Sequence, residues 1–438
     1  MTREWREVLR YAGPMVLADG IGTAVPVVLI ALIGTMGDEA LYVRSLFMPV
    51  VFAFIAVQIS VAVTTQVAVS LGAGRRFDSA VASTLWLARF GLGATAVVSG
   101  AFLLTAPLLA DLLSVQPEVR DQFVRFVRWV ALAQLTGVGP VVFAATLRGA
   151  ERPRPAAALL LLAGGAEVAG VAALGLPGGA GWGLWSVPVA IAGAGALGTA
   201  VGFWLLFRSD LWKRGRPIGL RRETVLLRQV GLPVGSAHAV IFASNFVLTW
   251  VVSVFGVATV AGFAVAYTLQ TMIIVPGMAI GSATAIVVNQ FRGRGETDRL
   301  GHVVRAGLAV TGALYALVAA ACWIGRDRIA GVLAQEPAAA AEAARYLELV
   351  APTYLILGVV LAGMSVLEQT GAGALAVTLN TTYFVAICAV GGYLARHAGE
   401  AAPLYQTIAA VNLLGAVVVA AVLHHTRRLA RPGAKALA

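Results

Sequence analysis

Twelve apolar runs, each long enough to cross a hydrocarbon core of about 30 Å at 1.5 Å per helical residue, dominate this chain. They fall at 9–35, 43–71, 80–112, 122–147, 155–176, 183–207, 229–255, 259–291, 300–324, 344–367, 374–395 and 403–424. A backbone in lipid must satisfy its own hydrogen bonds, and runs of this length do so as helices. The expected fold class is therefore an all-α membrane protein. A charged content of 12% is half that of a water-soluble domain, so a soluble enzyme is excluded.

The net charge of +11 first raises nucleic acid as a partner. Its distribution removes that reading. With the N-terminus placed in the cytoplasm, the basic residues concentrate in the inner loops and tails, as the bias of cytoplasmic loops requires. An even number of spans then puts both termini inside, and the expected location is the cell's inner membrane. The opening stretch MTREWREVLR leads straight into the first run without an A-x-A-like cleavage site, and is expected to stay as part of a retained helix. Cys322 and Cys388 lie within apolar runs without a Cys or His at metal-ligand spacing, so neither a disulfide framework nor a zinc site is expected.

The runs form two groups of six, and the second group repeats the first. Pro14 returns as Pro233, the Gly72-Ala-Gly74 turn as Gly293-Arg-Gly295, Pro117 as Pro337 and Leu147 as Leu367, always 219 to 221 residues on. A shift of six helices preserves orientation. The expectation is two six-helix lobes related by a pseudo-twofold axis along the membrane normal, a build suited to alternating access and poor for a continuous pore. The division is residues 1–207, a basic cytoplasmic linker at 208–228, and residues 229–438.

Pro14 opens the first run, Gly34-x-x-Gly37-Asp-Glu-Ala-Leu41 closes it, and Leu71-Gly-Ala-Gly-Arg75 follows the second. Leu147-Arg-Gly-Ala150 follows the fourth, Gly231-Leu-Pro233 opens the seventh, and the stretch Gly281 to Gln290 closes the eighth. In that order and spacing the chain resembles the multidrug and toxin extrusion (MATE) family of the polysaccharide and drug exporter superfamily, over essentially its whole length. The resemblance implies a transporter without enzymatic activity. It further implies cation-coupled export of organic, often cationic and lipophilic, compounds. One departure stands out. The family usually places an acid in the first helix about five residues before Gly-x-x-Gly, where this chain has Leu29; in the fifth helix Glu167 falls near a family Asn, and no Asp follows.

Three charged residues remain inside spans: Asp19 in the first, Arg89 in the third and Glu167 in the fifth. Counted from the cytoplasmic ends, each is expected ~15 to 18 Å deep. A charge there costs roughly 2.5 to 3.5 kcal/mol even on a lenient scale, so each needs a cavity or a partner. Arg89 beside one acid would neutralise it and leave the other free to load and release a proton. Asp19 and Glu167 are thus the candidate proton-coupling site with Arg89 as modulator; a buried ion network locking the three helices together is the alternative. Pro26 interrupts the first helix's hydrogen-bond ladder beside Gly20 and Gly22 and is the candidate bending point, or else a tolerated kink.

The second lobe shows no carboxylate in mid-span. Its deep polar residues, His238, Asn245, Tyr267, Gln270 and Asn380, are candidates for lining a substrate cavity, with ordinary helix packing as the other account. No cofactor is expected beyond the coupling ion, a proton with sodium left open. The partners expected are a small organic substrate and the bilayer, and the chain is expected to act as a monomer. A flippase for a lipid-linked amphiphile is the competing function. Such a protein needs several deep Arg or Lys for phosphate, and only Arg89 is deep. The Gly72-Ala-Gly74 turn lacks the Lys-Ser/Thr of a P-loop, and the H-E-x-x-H and G-x-S-x-G patterns of enzymes are absent.

Overall fold

Each apolar run folds as a helix. In the computed structural model, which describes residues 3–75, 77–113, 115–213, 221–334 and 336–431, no strand occurs among the described residues. Among the described residues, twelve helices are long and apolar enough to span a membrane. They are α1 (Glu4–Gly34), α2 (Val50–Ser70), α3 (Ala80–Leu112), α4 (Pro117–Gly149), α5 (Pro153–Gly175) and α6 (Gly183–Phe207). The second set is α7 (Arg222–Phe255), α8 (Val257–Arg294), α9 (Thr297–Ile324), α10 (Pro337–Thr370), α11 (Gly373–Ala398) and α12 (Ala402–Leu429). Residues 214–220 of the basic linker and the tail from 432 lie outside the described residues.

Local chemistry sets the boundaries. Pro117, Pro153 and Pro337 open their helices at the first turn, where the missing N–H costs nothing. Gly37 and Gly256, 219 residues apart, both precede a helix with φ of 123° and 99°, a region that penalises any side chain. The repeat read from prolines and turns thus extends to backbone conformation. The α4 and α6 backbones approach closely because Gly195 and Gly202 carry no side chain: a Cβ on either would stand within 2.2 Å of Thr136 and 2.7 Å of Phe143, respectively.

The chain divides into two compact units, and the division crosses two helices. The N unit is Leu17–Gly235; the C unit joins the described part of Met1–Val16 to that of Ser236–Leu437. The opening of α1 thereby belongs to the C unit. Tyr11 accepts a hydrogen bond from Gln290 Nε2 at 3.0 Å, Glu4 pairs with Arg299 at 2.9 Å, and Val8, Ala12 and Met15 sit in one core with Ile286 and Leu367. The opening of α7 belongs to the N unit, where Ser83 Oγ donates to the buried Glu223 at 2.9 Å. The sequence division at 208–228 runs instead through the longest polar connection, because polarity along a sequence reports loops and not which helix end packs where.

The N unit has one apolar core around Leu29, Ile33, Phe47, Phe54, Phe123 and Phe126 and a second around Phe143, Leu147 and Leu206. Leu29 is 4% exposed in the first of these. The C unit has a core rich in tyrosine, with Tyr315, Tyr346, Tyr354 and Tyr405 all fully buried.

Candidate functional site

The N unit encloses a cavity of about 380 Å³ whose wall carries both Asp19 of α1 and Glu167 of α5. Between them the wall is aliphatic, with small residues such as Ala163, Gly164 and Gly195, and is interrupted by one amide pair. There Gln58 of α2 donates from Nε2 to Gln134 Oε1 of α4 at 3.1 Å. Among the described residues that line it, the charge-bearing groups are the two carboxyls.

The acids sit in different surroundings. Asp19 accepts a hydrogen bond and ion pair from Arg148 Nη2 at 2.8 Å, the arginine being 15% and the acid 31% exposed. Arg148 is the next-to-last residue of α4, so its long side chain brings a cation from a helix end to a carboxyl inside α1. Glu167 is half-buried and receives no hydrogen bond and no ion pair from any described residue. Its electrostatic partner is Arg44, in the short helix Asp38–Leu46. Arg44 is 8% exposed and donates from Nη1 toward the sulfur of Met48 at 3.3 Å. Burial lowers its pKa and Glu167 acts in the opposite direction, but an arginine remains a cation throughout.

Two sequence expectations need correction. Arg89 is exposed on α3, lies off the cavity wall and makes no ion pair among the described residues; the cation bound to Asp19 is Arg148, and the one whose field acts on Glu167 is Arg44. Both stand near helix ends, where a sequence shows position but not reach. The second correction concerns depth. Val25 of α1 lies against Gly164 of α5. Asp19 comes six residues before that contact and Glu167 three after it, which separates them by about 13 Å along the helices. The cavity is therefore elongated between an acid bound to an arginine and an acid that is not. α1 is helical through Pro26, which is exposed.

The C-unit candidates do not gather into one site. Asn245 accepts a hydrogen bond from the Tyr267 hydroxyl at 2.9 Å, Gln270 accepts one from the buried Tyr346 hydroxyl, and Asn380 Nδ2 donates to the carbonyl of Ala237 at 3.1 Å. His238 is buried with its ring 6.4 Å from that of Phe242. Asn412 is doubly engaged, accepting from Tyr383 at 2.7 Å and donating to Thr353 at 2.8 Å. Sequence reasoning found the polar residues and Tyr267, but not which hydroxyl meets which amide. It also missed Glu368 near the end of α10, which is buried. No group of three or more His, Cys, Asp or Glu suited to a metal ion occurs among the described residues.

The MatE family model matches residues 14–169 and 233–394. Among curated relatives, a probable multidrug resistance protein NorM of Deinococcus radiodurans is 27% identical over 338 residues, covering 71% of this chain and 68% of that protein. A probable NorM of Aromatoleum aromaticum is 29% identical over 123 residues, 28% of this chain and 27% of that protein's length. Among solved structures, a mutant of the Vibrio cholerae MATE transporter VcmN superposes with a TM-score of 0.90 over 98% of both chains at 16% identity. A MOP superfamily transporter from Pyrococcus furiosus gives 0.88 over 98% of both at 17%. These last two are likenesses of fold.

Proposed function

Because the chain belongs to the MatE family, whose members are membrane transporters and not enzymes, we propose that it exports small organic cations in exchange for protons by alternating access, with Glu167 as the exchange carboxyl. The observation that carries the reading is the asymmetry of the cavity. One acid, Asp19, is already claimed by Arg148, and the other, Glu167, faces the same space without a hydrogen bond. A proton and a cationic substrate neutralise that carboxyl equally well, and competition for it couples the two flows. Asp19 and Arg148 hold α1 to α4, and Pro26 is where α1 bends as the cavity changes access.

Protons fit better than sodium. A bare alkali cation needs several converging oxygens, whereas the two carboxyls lie about 13 Å apart by helical rise. A lipid-linked phosphate is disfavoured because the charged groups on the wall are acids. The protein acts as a monomer in the inner membrane with both termini cytoplasmic. The test is ethidium movement in proteoliposomes: an imposed pH gradient drives it through the wild type, nigericin abolishes the drive, and Glu167→Gln loses gradient dependence. A Glu167→Gln protein that still follows the gradient overturns the assignment.

A further inference from the structure

The repeat aligns the charged pair of the N unit with a differently charged pair of positions in the C unit. At the shift of 219 that takes Pro14 to Pro233, Asp19 corresponds to His238; at the shift of 220 that takes Leu147 to Leu367, Arg148 corresponds to Glu368. An acid on the first helix and a base on the fourth become a base on the first and an acid on the fourth. Glu368 is 8% exposed. No hydrogen bond or ion pair reaches its carboxyl from any described residue, whereas Arg148 has Asp19.

An ionised carboxylate at such burial with nothing to match it is expensive, and taking up a proton removes the charge. A permanently neutral group is satisfied more cheaply by an amide, as Gln369 shows beside it by donating to Ser282 at 2.6 Å. The basic side chains at the end of α10 are held by its last residue, Thr370, and not by Glu368. Arg292 of α8 donates to the Thr370 carbonyl and to Asn289 Oδ1, both at 3.2 Å, and His425 of α12 is 3.1 Å from the Thr370 hydroxyl.

The remaining elements packed here bring no other buried charge. Among the described residues, His302 and Arg305 of α9 and His424 of α12 are exposed; α1 contributes Tyr11, and α11 contributes the apolar Ala376 and Leu379. Arg292, at the carbonyl two residues beyond Glu368, is the cation that a rearranged end of α10 would offer to an ionised Glu368.

We propose that Glu368 is a second proton-exchange site, in the C unit, discharged when Arg292 changes partners; this rests on the proton-coupled reading of Glu167 and adds a second proton to its cycle. The bookkeeping is one O–H bond broken at the carboxyl and one proton passed to water, with no change of oxidation state.

Infrared difference spectroscopy of the purified protein, as pH is raised through the physiological range, reads the loss of protonated carboxyl C=O bands directly. The wild type is expected to lose two, Glu368→Gln to lack one of them, and Glu167→Gln to lack the other. Arg292→Gln, which removes the discharging cation, is expected to move the Glu368 band to higher pH. A single wild-type band that disappears in Glu167→Gln overturns the proposal, as does a Glu368→Gln spectrum identical to wild type. Should Glu368→Gln not fold, Glu167→Gln alone decides, since it must retain one band. A pair of bands together with ethidium transport that ignores the pH gradient overturns the coupling reading and leaves Glu368 as a titrating site.

Discussion

The two units solve the same membrane problem with different chemistry. In the N unit two acids open onto a cavity, Asp19 bound to Arg148 and Glu167 without an ion pair, beside the Gln58–Gln134 amide pair. In the C unit, Glu368 and His238 apart, the deep polar groups are amides closed off by tyrosines, such as Asn245 with Tyr267, Gln270 with Tyr346 and Asn412 with Tyr383. Repeat-related positions make the contrast sharp. Gln134, on the cavity wall, corresponds to the fully buried Tyr354, and Glu167 corresponds to Ile387, which is 2% exposed. A duplicated scaffold has kept its backbone signals and exchanged its chemistry. Neutral hydrogen bonds hold helices without responding to pH, and charges respond to it.

This comparison can be broken most forcefully at Arg148. Arg148→Ala leaves Asp19 partly buried without its cation and is expected to destabilise the protein by about 2 kcal/mol, a figure reduced from that for a fully buried pair because Asp19 is partly exposed. Adding Asp19→Asn is expected to restore most of the loss. Thermal unfolding of the two single variants and the double gives the coupling energy, and additive effects would mean that the pair does not hold α1 to α4.

A smaller effect is expected in the C unit. Asn412→Ala removes two hydrogen bonds and leaves the Tyr383 and Thr353 hydroxyls short of a partner, costing about 1 to 2 kcal/mol. Because no charge is involved, the loss should be the same at high and low pH; a pH-dependent loss would erase the distinction between the units. The smallest effect belongs to Arg89→Ala. On an exposed face it should stay within about 0.5 kcal/mol of wild type and leave the pH dependence of transport untouched. A large change would return Arg89 to the site.

The sequence made the architecture readable because a membrane simplifies it. Twelve apolar runs became twelve helices, and Gly37 and Gly256 repeat as Pro14 and Pro233 do. Asp19 and Glu167 were readable for a related reason, since an acid deep in an apolar run requires explanation. What sequence depth does not report is lateral reach. Arg148 and Arg44 stand near helix ends; the Arg148 side chain extends to an acid on another helix, and Arg44 acts on Glu167 through its field. Equal counting from helix ends also misplaced the acids relative to each other, because α1 begins well before its apolar stretch and the Val25–Gly164 contact, not the end, sets its register against α5. Glu368 escaped notice because it falls one residue beyond the apolar run that α10 continues.

Proton release on substrate binding tests the central claim most directly. Adding ethidium to purified protein in weak buffer, with a pH indicator, should release protons from the wild type and from Asp19→Asn, and none from Glu167→Gln. Equal release from Glu167→Gln and wild type, or loss of release in Asp19→Asn alone, would contradict the assignment of Glu167 as the group for which proton and substrate compete.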